Sequence, residues 1–347
     1  MHFDKIIRFA GFSALMPRGS HRFLLGILLA VLMVMLWAIK IGPMPLSLAT
    51  IVAAISHKAE PLVALIVNDI RMPRLVLGLV TGASLALAGF LLQTLTRVSI
   101  ASPAVMGISD GAGLLVVLAL FWGDRGAEWL TTPAVMTLAA LLGSVMILSI
   151  LAGLFRRDPD LDKMVFSGLI LAAICKAAIS LLMLVSQSDI AAQAQLWLVG
   201  SLTQANQGLN KWLCGGFGGL FILLLLSSRQ IALFRVSDAV MLALGGRVKR
   251  QQQYLYLLAA GFTAIAVAGA GQIGFVGLVV PHLVNRLCPR GVLAQLLGNA
   301  LGGAGLVVAA DIAARSVIAP DELAVGVVTA LIGVPCFLLL YLKRGRH

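Results

Sequence analysis

Charged residues are scarce in this chain. Only 12% of its 347 residues are Asp, Glu, Lys or Arg, whereas soluble domains usually contain about 25%. Aromatic residues make up 6% and hydrophobic residues 60%, and the mean hydropathy is +1.01. This composition excludes a soluble enzyme and indicates a protein whose surface is mostly in contact with lipid.

Cysteine pairs and catalytic signatures are also lacking. The sequence contains no P-loop, GxSxG, HExxH or DxD-type cluster, so it predicts neither catalysis nor a metal site. It has no CxxC pair and no Cys/His spacing that suits zinc. The four cysteines lie mostly within apolar runs and are predicted to be small packing residues: Cys175, Cys214, Cys288 and Cys336.

The basic residues, which give a formal net charge of +12, occur in short clusters between apolar runs. Because aromatic residues are not interleaved with them, this pattern excludes nucleic-acid binding. It is instead typical of a membrane protein with many spans that keeps Lys and Arg on its cytoplasmic side.

Apolar runs long enough to cross a hydrocarbon core of about 30 Å predict nine transmembrane helices. They cover residues 22–41, 73–95, 103–122, 132–155, 164–186, 212–228, 253–270, 292–314 and 323–342. A tenth span, short or broken, is expected at 271–290, where Pro281 interrupts a short apolar run. The predicted fold is therefore all-α: a polytopic membrane protein with about ten helices in one transmembrane domain, residues 1–347.

The distribution of charge predicts the orientation. With ten spans, both termini lie on the same side, and most of the 26 Lys and Arg residues fall on that side. The segment 187–210 contains neither Lys nor Arg. The positive-inside rule therefore predicts cytoplasmic termini, a periplasmic loop at about 187–210, and a multi-pass protein of the bacterial inner membrane.

A short amphipathic helix is predicted at about 236–246, between two spans. Ser237 or Asp238 is a plausible N-cap, Leu242 and Leu244 contribute apolar side chains, and Gly245 is a plausible C-cap. Two interpretations stay open from the spacing alone. The helix either docks into a partner protein or lies on the lipid headgroups.

Ionisable residues inside predicted spans are rare and therefore informative. Asp311 and Arg315 are four residues apart and can pair on one helix face. Lys176 has no acidic residue near it in its own span, so it must snorkel, pair across helices or face a watery cavity. Asp110 fits either a capping or a packing role.

Three groups of motifs occur in order between about residue 60 and residue 342. The first comprises Arg71-Met72-Pro73-Arg74, Gly82, Gly89, Gln93, Ala101-Ser102-Pro103 and Gly107. The second runs from Gly274 to His282 and includes Arg286. The third comprises Asp311, Arg315, Glu322-Leu323, Val325 to Thr329 and Gly333-Val334-Pro335. Together they resemble the FecCD-type permeases of type II ABC importers, which take up iron-siderophores, haem and cobalamin.

Two positions depart from the family's pattern. The family usually has Arg-Asn-Pro-Leu-Ala where this chain has Arg97-Val98-Ser99-Ile100-Ala101. It usually has Glu-Leu-Pro-Val-Gly where Ala324 replaces the proline here. The first change falls in the loop that forms the family's cytoplasmic gate.

The resemblance implies a transport subunit rather than an enzyme. It implies a second permease subunit, either an identical copy or a paralogue, two ATP-binding subunits and a periplasmic substrate-binding protein. No cofactor is expected in this chain, since ATP and Mg²⁺ would bind the partner ATPase. The expected substrate is an iron-siderophore or related metal chelate, with haem or cobalamin as alternatives. An ion-coupled secondary transporter is the alternative of another class, for which only Asp110 and Asp311 offer intramembrane carboxylates.

The resemblance also implies roles for particular residues. Docking of the binding protein is carried over to Arg71, Arg74 and Arg315, and ATPase coupling to Asp238, Leu242, Leu244 and Gly245. The fifth span, which holds Lys176, is expected to line the pathway. The cytoplasmic gate is carried over to Val98, Ile100, Leu161 and Asp162.

Overall fold

The described part of the chain is almost entirely helical. The computed structural model describes residues 5–9, 12–16, 20–42, 44, 46–56, 58–155, 161–186, 194–195, 197–235, 248–288, 291–317 and 322–344. At the N-terminus, strands β1 (Lys5–Phe9) and β2 (Phe12–Met16) form an antiparallel hairpin. The helices that follow confirm the predicted all-α class.

The helical elements occur along the chain in the following order. They are α1 (Ser20–Lys40), α2 (Leu48–Ile55), α3 (Pro61–Leu65), a π-helix (Ile66–Arg71), α4 (Met72–Thr96), α5 (Ile108–Gly123), a 3₁₀-helix (Glu128–Thr131), α6 (Pro133–Leu154), α7 (Leu161–Val185), α8 (Gln207–Leu226), α9 (Ser228–Leu233), α10 (Val248–Ala270), α11 (Val276–Leu287), α12 (Val292–Ser316) and α13 (Val325–Arg344). Local sequence explains several boundaries. Pro133 occupies the first turn of α6, and the side chain of Asn206 accepts a hydrogen bond from the Leu209 amide at 2.8 Å at the start of α8.

Each of the ten predicted spans corresponds to a helix. Within the described residues, seven helical stretches are long and apolar enough to cross a membrane. Three shorter apolar helices, α5, α11 and the first part of α13, occupy the places of the other three. Helices α5 and α11 are short because each is preceded by irregular backbone rather than by more helix, whereas α13 as a whole runs from Val325 to Arg344.

Helices α4 and α10 form the centre of the bundle, and their residues are almost all buried. Helix α4 packs against α10, α11 and α12. Glycine permits these close crossings: a Cβ added to Gly82 would lie 2.2 Å from the carbonyl oxygen of Gly303, and one added to Gly89 would lie 1.8 Å from that of Gly277. The interfaces therefore depend on small residues, as expected for helices that pack in lipid.

The span expected at 271–290 is present as the short helix α11, which continues through Pro281, so the expected interruption at this proline is not found. Gly271 and Phe275 both have positive φ angles, of 69° and 64°, so the chain bends sharply after α10. Pro281 lies inside α11 and cannot donate to the carbonyl of Gly277, four residues earlier. Gln93 of α4 donates to that oxygen at 3.4 Å and to the Leu278 oxygen at 3.3 Å. The motif residue Gln93 thus supplies, at the carbonyl of Gly277, the donor that Pro281 lacks.

The described part of the segment 187–210 is not a simple surface loop. Trp197 and Leu202 are buried, and Ser201 donates its amide to the Ala270 carbonyl at 3.0 Å. Helix α8 already begins at Gln207. The absence of Lys and Arg in this segment therefore coincides with the packing of its described residues into the bundle.

Candidate functional site

Arg74 lies at the centre of an ion-pair cluster at one end of α4. Its Nε donates to Asp311 Oδ1 at 2.9 Å, and Nη2 lies 2.8 Å from the same oxygen. Its Nη1 donates to both carboxylate oxygens of Glu322, at 2.8 and 3.1 Å. One guanidinium therefore connects α4, α12 and the segment that leads into α13, in the fork geometry for which Arg is suited.

Asp311 and Arg315 form the pair that their spacing predicted. Nη2 of Arg315 lies 3.1 Å from Asp311 Oδ2. The Asp311 side chain is only 4% exposed and is shared between Arg74 and Arg315. Arg315 also approaches the backbone carbonyls of Ala38, at 3.4 Å, and Ile41, at 3.5 Å.

Arg71 holds the C-terminal end of α1. Its guanidinium donates to the carbonyls of Ile39 and Met44, each at 2.5 Å, and to that of Lys40 at 3.3 Å. The last carbonyls of a helix lack partners within the helix, so Arg71 satisfies them from a neighbouring element. The π-helix before α4 brings Arg71 to this place, and Pro73, which lacks an N–H, explains why regular α-helical bonding is interrupted there.

The three arginines predicted to dock a binding protein thus lie together, but their side chains are already engaged within the chain. Arg71 and Arg74 are buried, at 5% and 9% exposure. Three guanidinium groups and two carboxylates leave the cluster with one net positive charge. Glu322, whose side chain is 35% exposed, is its most accessible acidic member. Docking at these arginines stays a prediction.

Lys176 pairs across helices, which was one of the three outcomes considered for it. Its Nζ lies 3.8 Å from Oδ1 of Asp110, in the first turn of α5. The exposures of the two side chains differ sharply, at 66% for Lys176 and 3% for Asp110. Gln272, which follows α10, donates to the carbonyl of Ser109, the residue before Asp110, at 3.3 Å. Sequence reasoning identified both charged residues but not their contact.

The predicted gate lies only partly within the described residues. Val98 and Ile100 belong to the loop after α4, in which Arg97 has a positive φ of 58° and Ile100 is exposed. Leu161 and Asp162 begin α7, and their side chains lie outside what the structure describes. The predicted coupling residues also lie outside the described residues: Asp238, Leu242, Leu244 and Gly245.

Among the described residues, no group of three or more His, Cys, Asp or Glu side chains could hold a metal ion. The charged groups are used instead to connect helices. The fold and these contacts define the class of the protein: a polytopic membrane protein in which each of about ten predicted spans corresponds to a helix.

The comparison with known proteins specifies the family. Residues 28–343 match the FecCD transport family, and the chain belongs to this family of ABC importer permeases. Members are transport subunits, and ATP is hydrolysed by separate partner proteins. Membership of this family excludes the alternative that the protein is an ion-coupled secondary transporter.

Several relatives are similar over most of their length. The hemin transport system permease protein HmuU of Yersinia pestis is 35% identical over 329 residues, which cover 94% of this chain and 97% of the relative. The achromobactin transport system permease protein CbrC of Dickeya dadantii is 32% identical, covering 92% and 90%. The vitamin B12 import system permease protein BtuC of Shigella sonnei is 33% identical, covering 81% and 85%.

A solved structure shares the whole fold. An inward-facing metal-chelate type ABC transporter superposes with a TM-score of 0.81 at 26% identity, covering 93% of this chain and 99% of that one. This match supports the predicted type II importer fold.

Proposed function

We propose that this chain is the permease subunit of an importer that moves an iron-siderophore or a related metal chelate from a periplasmic binding protein into the cytoplasm. The observation that carries the proposal is similarity along nearly the full chain, both to a hemin permease and to a metal-chelate type transporter. Haem and cobalamin are the alternatives within the same family, because relatives named for both are similarly close.

The proposed assembly contains a second permease subunit, identical or paralogous, two ATP-binding subunits and the binding protein. The broad exposed apolar faces of α7 and α13 support burial against lipid and a second subunit. ATP and Mg²⁺ would bind the ATPase, since this sequence carries no nucleotide motif. The proposed location is the bacterial inner membrane, with both termini in the cytoplasm.

Coupling to the ATPase is proposed for the segment around 236–246. It lies between α9 and α10, and its apolar residues Leu242 and Leu244 would enter a groove on the ATPase, with Asp238 and Gly245 at the helix ends.

Leu244→Glu tests this coupling, because a carboxylate cannot enter an apolar groove without a large desolvation cost. The variant should insert normally but lose ATP hydrolysis that is stimulated by the binding protein and its substrate. Gln253→Glu, which adds the same charge at an exposed position of α10, is the matched control. Normal stimulation in Leu244→Glu would overturn the coupling role.

Docking of the binding protein is proposed for Arg71, Arg74 and Arg315. The net positive charge of their cluster would attract acidic groups on the binding protein. A docking carboxylate would have to replace Glu322 at Arg74, because Glu322 is the exposed partner. Glu322→Gln should therefore strengthen complex formation, whereas an unchanged affinity would mean that Arg74 receives no partner carboxylate.

The pathway is proposed to run along α7 and to close at its cytoplasmic end through Val98, Ile100, Leu161 and Asp162. The close approach of the loop to α7 supports this arrangement: a Cβ added to Gly107 would lie 2.8 Å from the Gly168 carbonyl. A movement of α7 would therefore displace the loop between α4 and α5.

A further inference from the structure

Four tryptophans of this chain have exposed side chains. The exposed fractions are 61% for Trp37, 53% for Trp122, 65% for Trp129 and 65% for Trp212. Within the described residues, none of these four indole N–H groups has an acceptor, whereas the buried Trp197 donates to a glutamine side chain at 2.7 Å. An exposed aromatic ring with a free donor is typical of the boundary between hydrocarbon and water.

Two of the four lie at the end of the bundle that carries the Arg74 cluster, which we call the arginine end. Trp37 is three residues before the end of α1, whose last carbonyls accept hydrogen bonds from the last residue of the π-helix. Trp212 lies in the second turn of α8, where Asn210 donates to the Pro73 carbonyl at 2.7 Å. The end of α1 and the start of α8 therefore meet the start of α4.

The other two lie at the same end. Trp122 is in the last turn of α5, and Trp129 is in the 3₁₀-helix just before α6. Helix α6 ends six residues before α7, and Met164, in the first turn of α7, accepts a hydrogen bond from Tyr256 at 3.9 Å. Tyr256 is near the start of α10, whose last turn lies against the second turn of α4. Helix α7 thus begins away from the arginine end, so α6 begins at that end.

Basic residues accompany three of these tryptophans. The pairs are Trp37 with Lys40, Trp122 with Arg125 and Trp212 with Lys211, and the three basic side chains are exposed. The guanidinium carbon of Arg125 lies 4.0 Å from the centre of the Phe121 ring, a cation–π contact that needs no hydrogen-bond acceptor. The positive charges at these places therefore suit an anionic group outside the chain.

Exposed apolar side chains continue from the tryptophans away from the arginine end. On α1 they are Leu25, Leu29, Leu32 and Leu36, and on α8 they are Ile222, Leu223 and Leu226. Along these helices, each tryptophan thus lies between an apolar surface and a basic residue. This is the order of acyl chain, ester and phosphate in a phospholipid leaflet.

The helices that carry the tryptophans pack against different neighbours. Helix α1 packs against α12, α8 against α10, and α5 against α6 and α7. The exposed rings are therefore distributed around the bundle rather than gathered in one patch. One protein partner would cover a single patch, whereas lipid surrounds the whole bundle.

We propose that Trp37, Trp122, Trp129 and Trp212 form a collar that binds phospholipid headgroups in the leaflet at the arginine end. The indole N–H groups donate to ester or phosphate oxygens. The three accompanying basic residues contact the phosphate groups. Under the proposed orientation this is the outer leaflet, and the collar keeps the Arg74 cluster at the level of the headgroups.

The depth of each tryptophan is tested by fluorescence quenching of the full-length permease in lipid nanodiscs. Four variants keep Trp197 and one exposed tryptophan, with phenylalanine at the other three positions. A variant with Trp197 alone supplies the background, which lipid labels should not quench. Nitroxide on the fifth acyl carbon should quench each exposed tryptophan about twofold or more strongly than nitroxide on the twelfth, because the boundary lies far from the centre of a hydrocarbon core of about 30 Å.

The phosphate contact is tested with the same label on phosphatidylglycerol and on phosphatidylcholine. A basic residue at the surface enriches an anionic lipid by up to about fivefold, so phosphatidylglycerol should quench Trp37 and Trp212 more strongly. Lys40→Gln should remove this excess at Trp37, and Lys211→Gln should remove it at Trp212. Lys58→Gln, at an exposed position between α2 and α3, is the matched control and should keep it.

The other occupants of this surface give different results. Quenching by aqueous iodide and by neither lipid label would mean that the tryptophans face water or a water-soluble partner. Protection from all quenchers would mean that a second copy of the chain covers them. Either result, or stronger quenching by the deeper label, would overturn the collar, and equal quenching by both lipids in every variant would overturn the role of the basic residues. The assay uses neither substrate nor ATPase, so its failure leaves the proposed importer function unchanged.

Discussion

Replacement of Asp311 by Asn should destabilise the fold far more than replacement of Glu322 by Gln. The Asp311 carboxylate is buried and contacts both Arg74, at 2.8 Å, and Arg315, at 3.1 Å. An amide leaves the buried Arg315 without its ion-pair partner and leaves Arg74 with Glu322 alone. Loss of one partner from a buried pair costs about 3–5 kcal/mol. Glu322 is partly exposed, and water screens such a pair, so its loss should cost about 1 kcal/mol or less.

The measurement is the free energy of unfolding from urea titration of the purified permease in mixed micelles, with equal slopes required for all variants. Asp69→Asn is a matched control, because Asp69 accepts one exposed hydrogen bond from Gln207 at 2.9 Å. It should behave like wild type. If Asp311→Asn and Glu322→Gln lost the same free energy, the argument that burial decides the strength of this cluster would be wrong.

Three further predictions concern packing, helix ends and orientation. Gly89→Val should prevent folding because its side chain would overlap the Gly277 carbonyl, whereas Gly218→Val, with no atom within 4 Å of the added Cβ, should accumulate normally on membrane immunoblots. Arg71→Met should speed amide hydrogen exchange at the end of α1, since the carbonyls there lose their donor; unchanged exchange would contradict the capping role. Gln193→Cys should react with an impermeant thiol reagent once the outer membrane is permeabilised, and protection there would reverse the orientation.

The sequence by itself determined the elements and the class. Apolar runs of about 20 residues have few alternatives to transmembrane helices, because backbone groups in lipid must bond within their own segment. The missing backbone hydrogen bond inside α11 was equally local, since Pro281 removes an N–H wherever it lies. The pairing of Asp311 with Arg315 followed from a spacing of four residues on one helix.

Only the tertiary structure decided which distant groups meet. Arg74 and Glu322 are 248 residues apart, and no periodicity within either segment points to the other. Lys176 and Asp110 were each conspicuous in an apolar span, yet the crossing of α5 and α7 decided that the carboxylate is buried and the ammonium exposed. Similarly, Gln93 could be matched to Pro281 only after Gly89 and Gly277 had brought α4 and α11 into contact. Local patterns specify helices because their hydrogen bonds are local, whereas the partner of a buried charge depends on how those helices pack.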